Sequence, residues 1–159
     1  MAQKREQILD LLALGCARMV FIGKSPRAPG TCASLATICL APLIFLPLSI
    51  AARLLFLALV GLLGVLACGR AERLLRQKDP PQAVIDEFLG QLTVCLPFSQ
   101  LEIWHLAAAF VLFRIFDISK PWPVNLAEKA PGGLGVMLDD LAAGLYAMAC
   151  LALLRWAVG

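Results

Sequence analysis

The sequence predicts an all-α, polytopic integral membrane bundle with about five membrane segments, and three observations predict it. Of the 159 residues, 60% are apolar and 16% charged, with a mean hydropathy of +0.82; soluble domains use roughly 45–50% apolar residues. The apolar residues gather in runs that approach the ~20 residues a spanning helix needs. Basic residues cluster in alternate connections between those runs, the pattern that sets membrane orientation.

The elements follow in order. Residues 6–14 form an amphipathic first helix, expected to lie on the membrane surface. The first ten residues carry both signs of charge and no cleavable apolar core follows, so no removable signal peptide is expected. Segment 35–50 is apolar but contains Pro42 and Pro47, which makes it either a kinked span or a re-entrant piece. Segment 51–69 is a cleaner span. The third, 88–98, continues from Val84 and ends near Pro97; the fourth, 101–118, follows a polar break at Ser99 and Gln100; the fifth covers 136–158. The connections are short, so residues 1–159 are expected to form a single membrane-embedded domain.

Lys4, Arg5, Arg18, Lys24 and Arg27 precede the first span. Arg70, Arg73, Arg76 and Lys78 fill the second connection, and Lys120 and Lys129 the fourth. The other side offers Arg53 and Arg155, so the N-terminus is expected in the cytoplasm and the C-terminus outside. A net charge of +3 without a basic, aromatic-studded stripe argues against nucleic acid. The six cysteines form no C-x-x-C pair and read as packing residues.

This topology collects acids on one face. Asp86 and Glu87 open the third segment, Asp117 closes the fourth, and Asp139 and Asp140 open the fifth. Charges at the edge of hydrocarbon are costly and usually face a bundle interior with a function. The helix dipole accounts individually for acids in a first turn, but not for Asp117 at a helix C-terminus. Arg114, three residues earlier on the same face, forms either a simple ion pair with Asp117 or a phosphate-facing group. Carboxylates from three helices beside Arg and Lys are what a hard cation and a phosphate require.

The loop Gly23-Lys24-Ser25-Pro26-Arg27-Ala28-Pro29-Gly30-Thr31 is bent by its prolines and glycines and can present N–H groups to an anion, with Thr31 or Ser34 as a cap for the next helix. It is not a P-loop. Lys120-Pro121-Trp122-Pro123 ends the fourth segment, with Trp122 at headgroup depth. Gly132-Gly133-Leu134-Gly135 leads into the fifth, where backbone can approach a ligand or a neighbouring helix, and Ala142, Ala143 and Gly144 allow close helix packing.

Taken together, Ser25-Pro26-x-x-Pro29-Gly30-Thr31-x-x-Ser34, Asp86-Glu87-Phe88-x-Gly90, Phe113-Arg114-x-x-Asp117-x-x-Lys120-Pro121-Trp122-Pro123, and Gly132-Gly133-x-Gly135 leading to Asp139-Asp140-x-x-Ala143-Gly144 resemble the phosphatidylglycerophosphatase A family. The blocks stand in the family's order from about Gly23 to Gly144; Ala33 replaces a glycine and Ile85 an aromatic. The resemblance implies a Mg²⁺-dependent lipid phosphatase of the bacterial inner membrane, acting on the terminal phosphate of phosphatidylglycerophosphate, and the basic connections put the expected site on the cytoplasmic side. It carries metal-binding and catalytic roles to Asp86, Glu87, Asp117, Asp139 and Asp140. Arg114 and Lys120, with Thr31 and Ser34 of the loop, become the phosphate-binding candidates.

The expected chemistry is metal-assisted hydrolysis with Glu87 as candidate base; attack by an aspartate is the alternative. A transporter would need acids at the midplane or on both sides, and only Glu102 lies near the other. A phosphatidyl transferase would need a glycine and aspartate spacing that is absent. His105, the single histidine, sits toward the outer face and reads as a packing or interfacial residue, and Cys32 lacks a cysteine-arginine phosphate loop. The oligomeric state is left open.

Overall fold

The computed structural model describes residues 2–158, and every regular element among them is helical. The helices are α1 (Ala2–Ala17), α2 (Pro29–Ile44), α3 (Ile50–Leu75), α4 (Ile85–Val94), α5 (Ile103–Ser119), α6 (Val124–Ala127) and α7 (Gly133–Val158), with a 3₁₀ turn at Ile22–Lys24.

α3 and α7, 26 residues each, are long and apolar enough to cross a membrane. α2 and α5 have 16 and 17 residues, and α4 only ten. Ten helical residues rise about 15 Å, half the ~30 Å of a hydrocarbon core. The third expected segment is thus a half-length helix, buried over most of its surface against α7, α2, α3 and α5. Its apolar run continues past Val94, but the chain leaves the helix at Cys95 and turns toward Phe98.

Pro29 occupies the first turn of α2, where its missing N–H costs nothing, so the helix starts six residues before the expected segment. Pro42 is tolerated inside α2, which ends at Ile44; a turn then reverses the chain into α3, whose N-cap Ser49 accepts from the Ala52 N–H at 3.3 Å. α3 runs past the expected boundary to Leu75 and carries Arg70 and Arg73 in its last turns. α1 is longer than the predicted 6–14 helix and packs chiefly on α3, with Arg70 paired to Glu6 at 2.6 Å and to Asp10 at 2.5 Å. The cysteines are all free; Cys68 and Cys95 pack inside, whereas Cys32 and Cys39 are exposed, contrary to a uniform packing role.

Glycines bring three helices into backbone contact. A Cβ on Gly144 would collide with the Gly90 carbonyl, and one on Gly90 would meet the Phe113 ring and the Asp140 carbonyl. α4 and α7 therefore cross almost without side chains between them. A Cβ on Gly133 would strike the Val65 carbonyl of α3, so the close approach made by the Gly132–Gly135 run is to a neighbouring helix.

At the far end of the bundle, Arg53 is 4% exposed. Its guanidinium donates to the carbonyls of Leu46 (2.5 Å), Leu48 (3.1 Å), Leu96 (2.9 Å) and Phe98 (2.5 Å). One side chain thereby satisfies the acceptors freed where α2 and α4 both stop short. His105, also buried, accepts from the Glu102 N–H at 3.3 Å and helps to start α5.

Replacing Arg53 with Met keeps bulk but strands four carbonyls, two buried and two part-buried, and charge-assisted bonds of this kind are worth about 1.5–3 kcal/mol each. Arg53→Met is expected to lower stability by roughly 3 kcal/mol or more, read as a fall in the thermal midpoint in detergent; an unchanged midpoint would show that these bonds do not hold the turns.

Candidate functional site

The Gly90–Gly144 crossing lies one helical turn below the acids on each helix: Asp86 is four residues before Gly90, and Asp140 four before Gly144. Residues four apart share a helix face, so the crossing that brings the glycines together also brings the carboxylates together. Asp86, Glu87 and Asp140 each offer an oxygen within 4.8 Å of the others. Asp86 and Asp140 are buried, at 6% and 4% exposure.

Among the described residues none of these three forms an ion pair, and Asp86 Oδ1, Glu87 Oε2 and Asp140 Oδ2 are buried without a hydrogen-bond partner. Three like charges sharing a dry site repel one another, and buried carboxylates without compensation are strongly unfavourable. A divalent cation with oxygen ligands resolves that conflict, and the donor set is the hard one Mg²⁺ and its relatives prefer. The residues fit a metal ion.

The other two predicted carboxylates are committed elsewhere. Asp117 Oδ2 lies 2.6 Å from Arg114 Nη1, with both side chains under 20% exposed. The simple intrahelical ion pair is therefore present, but Arg114 also reaches across to Ser34, donating to its Oγ at 3.4 Å. Asp139 Oδ2 accepts from Lys120 Nζ at 2.6 Å, and its other oxygen accepts from the Asp140 N–H at 2.9 Å. Lys120 is the left-handed C-cap of α5 (φ 41°), which turns its side chain back toward α7. Burial alone would pull the Lys120 ammonium down, but its hydrogen bond to Asp139 and the charges of Glu128 and Asp140 more than reverse this, so its pKa is raised and it stays protonated.

The start of α2 closes the site. A Cβ on Gly30 would overlap Glu87 Oε1 and displace that carboxylate, so glycine here lets the helix lie against Glu87 in its present position. Ser34 is fully buried and donates to the Gly30 carbonyl at 2.9 Å. Neither Ser34 nor Thr31 caps α2, contrary to the expectation from sequence: the N-cap is Ala28 in a left-handed conformation (φ 46°) with no side-chain cap bond. Thr31 lies in the first turn, and its N–H and that of Gly30 have no intrahelical acceptor.

Two further residues were missed by the sequence reading. Glu128 Oε2 stands 3.5 Å from Lys120 Nζ, placed there by the turn around α6. Gln91, one turn along α4 from Glu87, is fully buried with both side-chain polar atoms unpaired. An amide in an otherwise apolar helix stretch was the available clue.

Comparison with known proteins gives a consistent picture. The family model described as phosphatidylglycerophosphatase A matches residues 15–155. A Haemophilus influenzae protein named phosphatidylglycerophosphatase A is 37% identical over 141 residues, covering 88% of this chain and 84% of that one. The Escherichia coli protein of the same name is 33% identical over 153 residues, covering 94% and 86%. A Bacteroides thetaiotaomicron protein, provisionally named a phosphatidylinositol-3-phosphatase, is 41% identical over 143 residues, covering 86% and 89%. No solved structure matches the chain.

A bound divalent cation should stabilise the folded protein by about 2.7 kcal/mol at a hundredfold excess over its Kd. Titrating Mg²⁺ or Mn²⁺ into chelator-treated protein is expected to raise the thermal midpoint, and Asp86→Asn or Asp140→Asn to abolish the rise. Equal shifts in native and substituted protein would place the cation elsewhere.

Proposed function

The chain belongs to the phosphatidylglycerophosphatase A family, and from that premise we propose that it is a Mg²⁺-dependent phosphatase that hydrolyses the terminal phosphomonoester of phosphatidylglycerophosphate to phosphatidylglycerol and phosphate. The observation that carries the reading is the group of three unpaired, buried carboxylates set beside two cations already held in place by Asp117 and Asp139.

In this proposal Asp86, Glu87 and Asp140 hold the ion. Bound there, Mg²⁺ would neutralise phosphoryl charge and make a water more acidic. Arg114 and Lys120 face the phosphoryl oxygens and stabilise charge that develops as the ester bond breaks. Asp117 and Asp139 orient these two cations and share the electrostatic work of the site. Ser34 and the free N–H groups of Gly30 and Thr31 at the start of α2 complete the phosphate cradle. Glu87, with one oxygen unpartnered, takes the proton from the attacking water. The alternative, attack by an aspartate, would leave phosphate on the protein during turnover.

We place the chain in the bacterial inner membrane, with α3 and α7 crossing and α2, α4 and α5 completing a five-segment bundle. Many leucines on α3 face outward, among them Leu55, Leu62 and Leu66 at 61–63% exposure, as lipid contact requires. Trp122 is exposed at the carboxylate end and Trp104 and Trp156 at the other, in keeping with interfacial belts on both sides. The basic residues near the site support a cytoplasmic placement of that end.

The 41% identical relative raises a second substrate reading, an inositol lipid phosphate, in which the same phosphomonoester chemistry meets a different headgroup. Purified protein assayed on both lipids distinguishes them. Release from phosphatidylglycerophosphate is expected to need Mg²⁺ and to vanish in Asp140→Asn, while Lys120→Ala and Arg114→Ala lose about 10²–10³-fold in kcat. Faster release from the inositol lipid would reassign the substrate, and no release from folded protein with any metal would end the phosphatase reading.

A further inference from the structure

Away from the carboxylates, α1 and α3 enclose a groove of about 420 Å³ that the proposed chemistry does not use. Its walls are apolar along most of its length, with Leu9 and Leu12 from α1 and Leu63 and Leu66 from α3, while Arg70 and Arg73 stand at one end. Leu12 and Leu66 remain 64% and 63% exposed, so packing between the two helices does not cover them.

The two arginines differ. Arg70 is occupied, bound to Glu6 and Asp10, and it fastens α1 onto α3. Arg73 forms no ion pair among the described residues and lies one turn nearer the end of α3. From Arg73 to Leu63 the helix rises about 15 Å, so the groove passes from a cationic mouth to an apolar floor over roughly half a hydrocarbon core. That gradient matches an anionic amphiphile.

We propose that this groove binds one anionic phospholipid, its headgroup phosphate at Arg73 and an acyl chain between α1 and α3. The inference rests on the membrane placement proposed above but not on the phosphatase chemistry. The first helix, so fastened, is a lipid-reading element separate from the site. A zwitterionic lipid offers Arg73 the same phosphate but offsets it with a cation of its own, and a single basic side chain at a membrane surface discriminates in favour of net-anionic lipid by about fivefold.

The test uses the full chain in phosphatidylcholine nanodiscs carrying a minor fraction of photoactivatable phosphatidylserine, an anionic lipid without a terminal phosphomonoester. Labelling is expected to concentrate on peptides from α1 and the second half of α3, to fall about fivefold there in Arg73→Gln, and to persist in Arg73→Lys. Labelling spread evenly over the outward faces of α2, α3, α5 and α7 would overturn the proposal, as would equal labelling of Arg73→Gln. Crosslinks joining two protein copies through this face would make it a dimer interface instead. Protein that does not enter nanodiscs would refute the membrane placement itself, a failure distinct from entry without selective labelling.

Discussion

The distance between α4 and α7 is set by backbone meeting backbone at Gly90 and Gly144, and the arrangement of the acids depends on that contact. With no Cβ on either side the helices come close enough for Asp86, Glu87 and Asp140 to share one small volume. Any side chain at the crossing would push the helices apart and separate the ligands before it altered their chemistry. Phe113 packs against the same glycine from α5, so the helix that carries Arg114 and Asp117 is registered by the same contact.

Around this crossing the charges divide by partner. Asp117 and Asp139 hold the Arg114 and Lys120 side chains at 2.6 Å, whereas among the described residues Asp86, Glu87 and Asp140 pair with no basic group. Five equivalent carboxylates would make a diffuse negative pocket; here two restrain basic groups and three keep unpartnered oxygens, so fixed cations and open oxygen donors stand side by side. The far end of the bundle has the opposite task. There Arg53 spends its charge on four backbone carbonyls, which lets α2 and α4 end inside the protein without orphaned acceptors.

Much of this was legible in the sequence, for definite reasons. Apolar runs separated by charged connections marked α2, α3, α5 and α7, and laying the acids on that topology put all five at one end, where the structure has them. The half-length of α4 was not legible: its apolar run carries on through Cys95 and Leu96 to Phe98, and Pro97 is the sole breaker, placed after the helix has already ended. The division of the acids into paired and unpaired was hidden too, because it depends on Lys120 taking a left-handed conformation and on the turn that delivers Glu128. Arg53 looked like an orientation signal because its partners are carbonyls, which every residue possesses. Ala28 carries no mark of an N-cap, so the role fell to Thr31 or Ser34 by residue type alone.

Asp86, Glu87 and Asp140 together are the proposed metal centre. Anomalous diffraction from crystals of the protein soaked in Mn²⁺ tests it most directly. A single dominant peak bounded by those three carboxylates is expected, with Arg114 and Lys120 still paired to Asp117 and Asp139; a peak on Asp117 or Asp139 in place of their cations, or none at occupying concentrations, would show that the three carboxylates do not hold the ion.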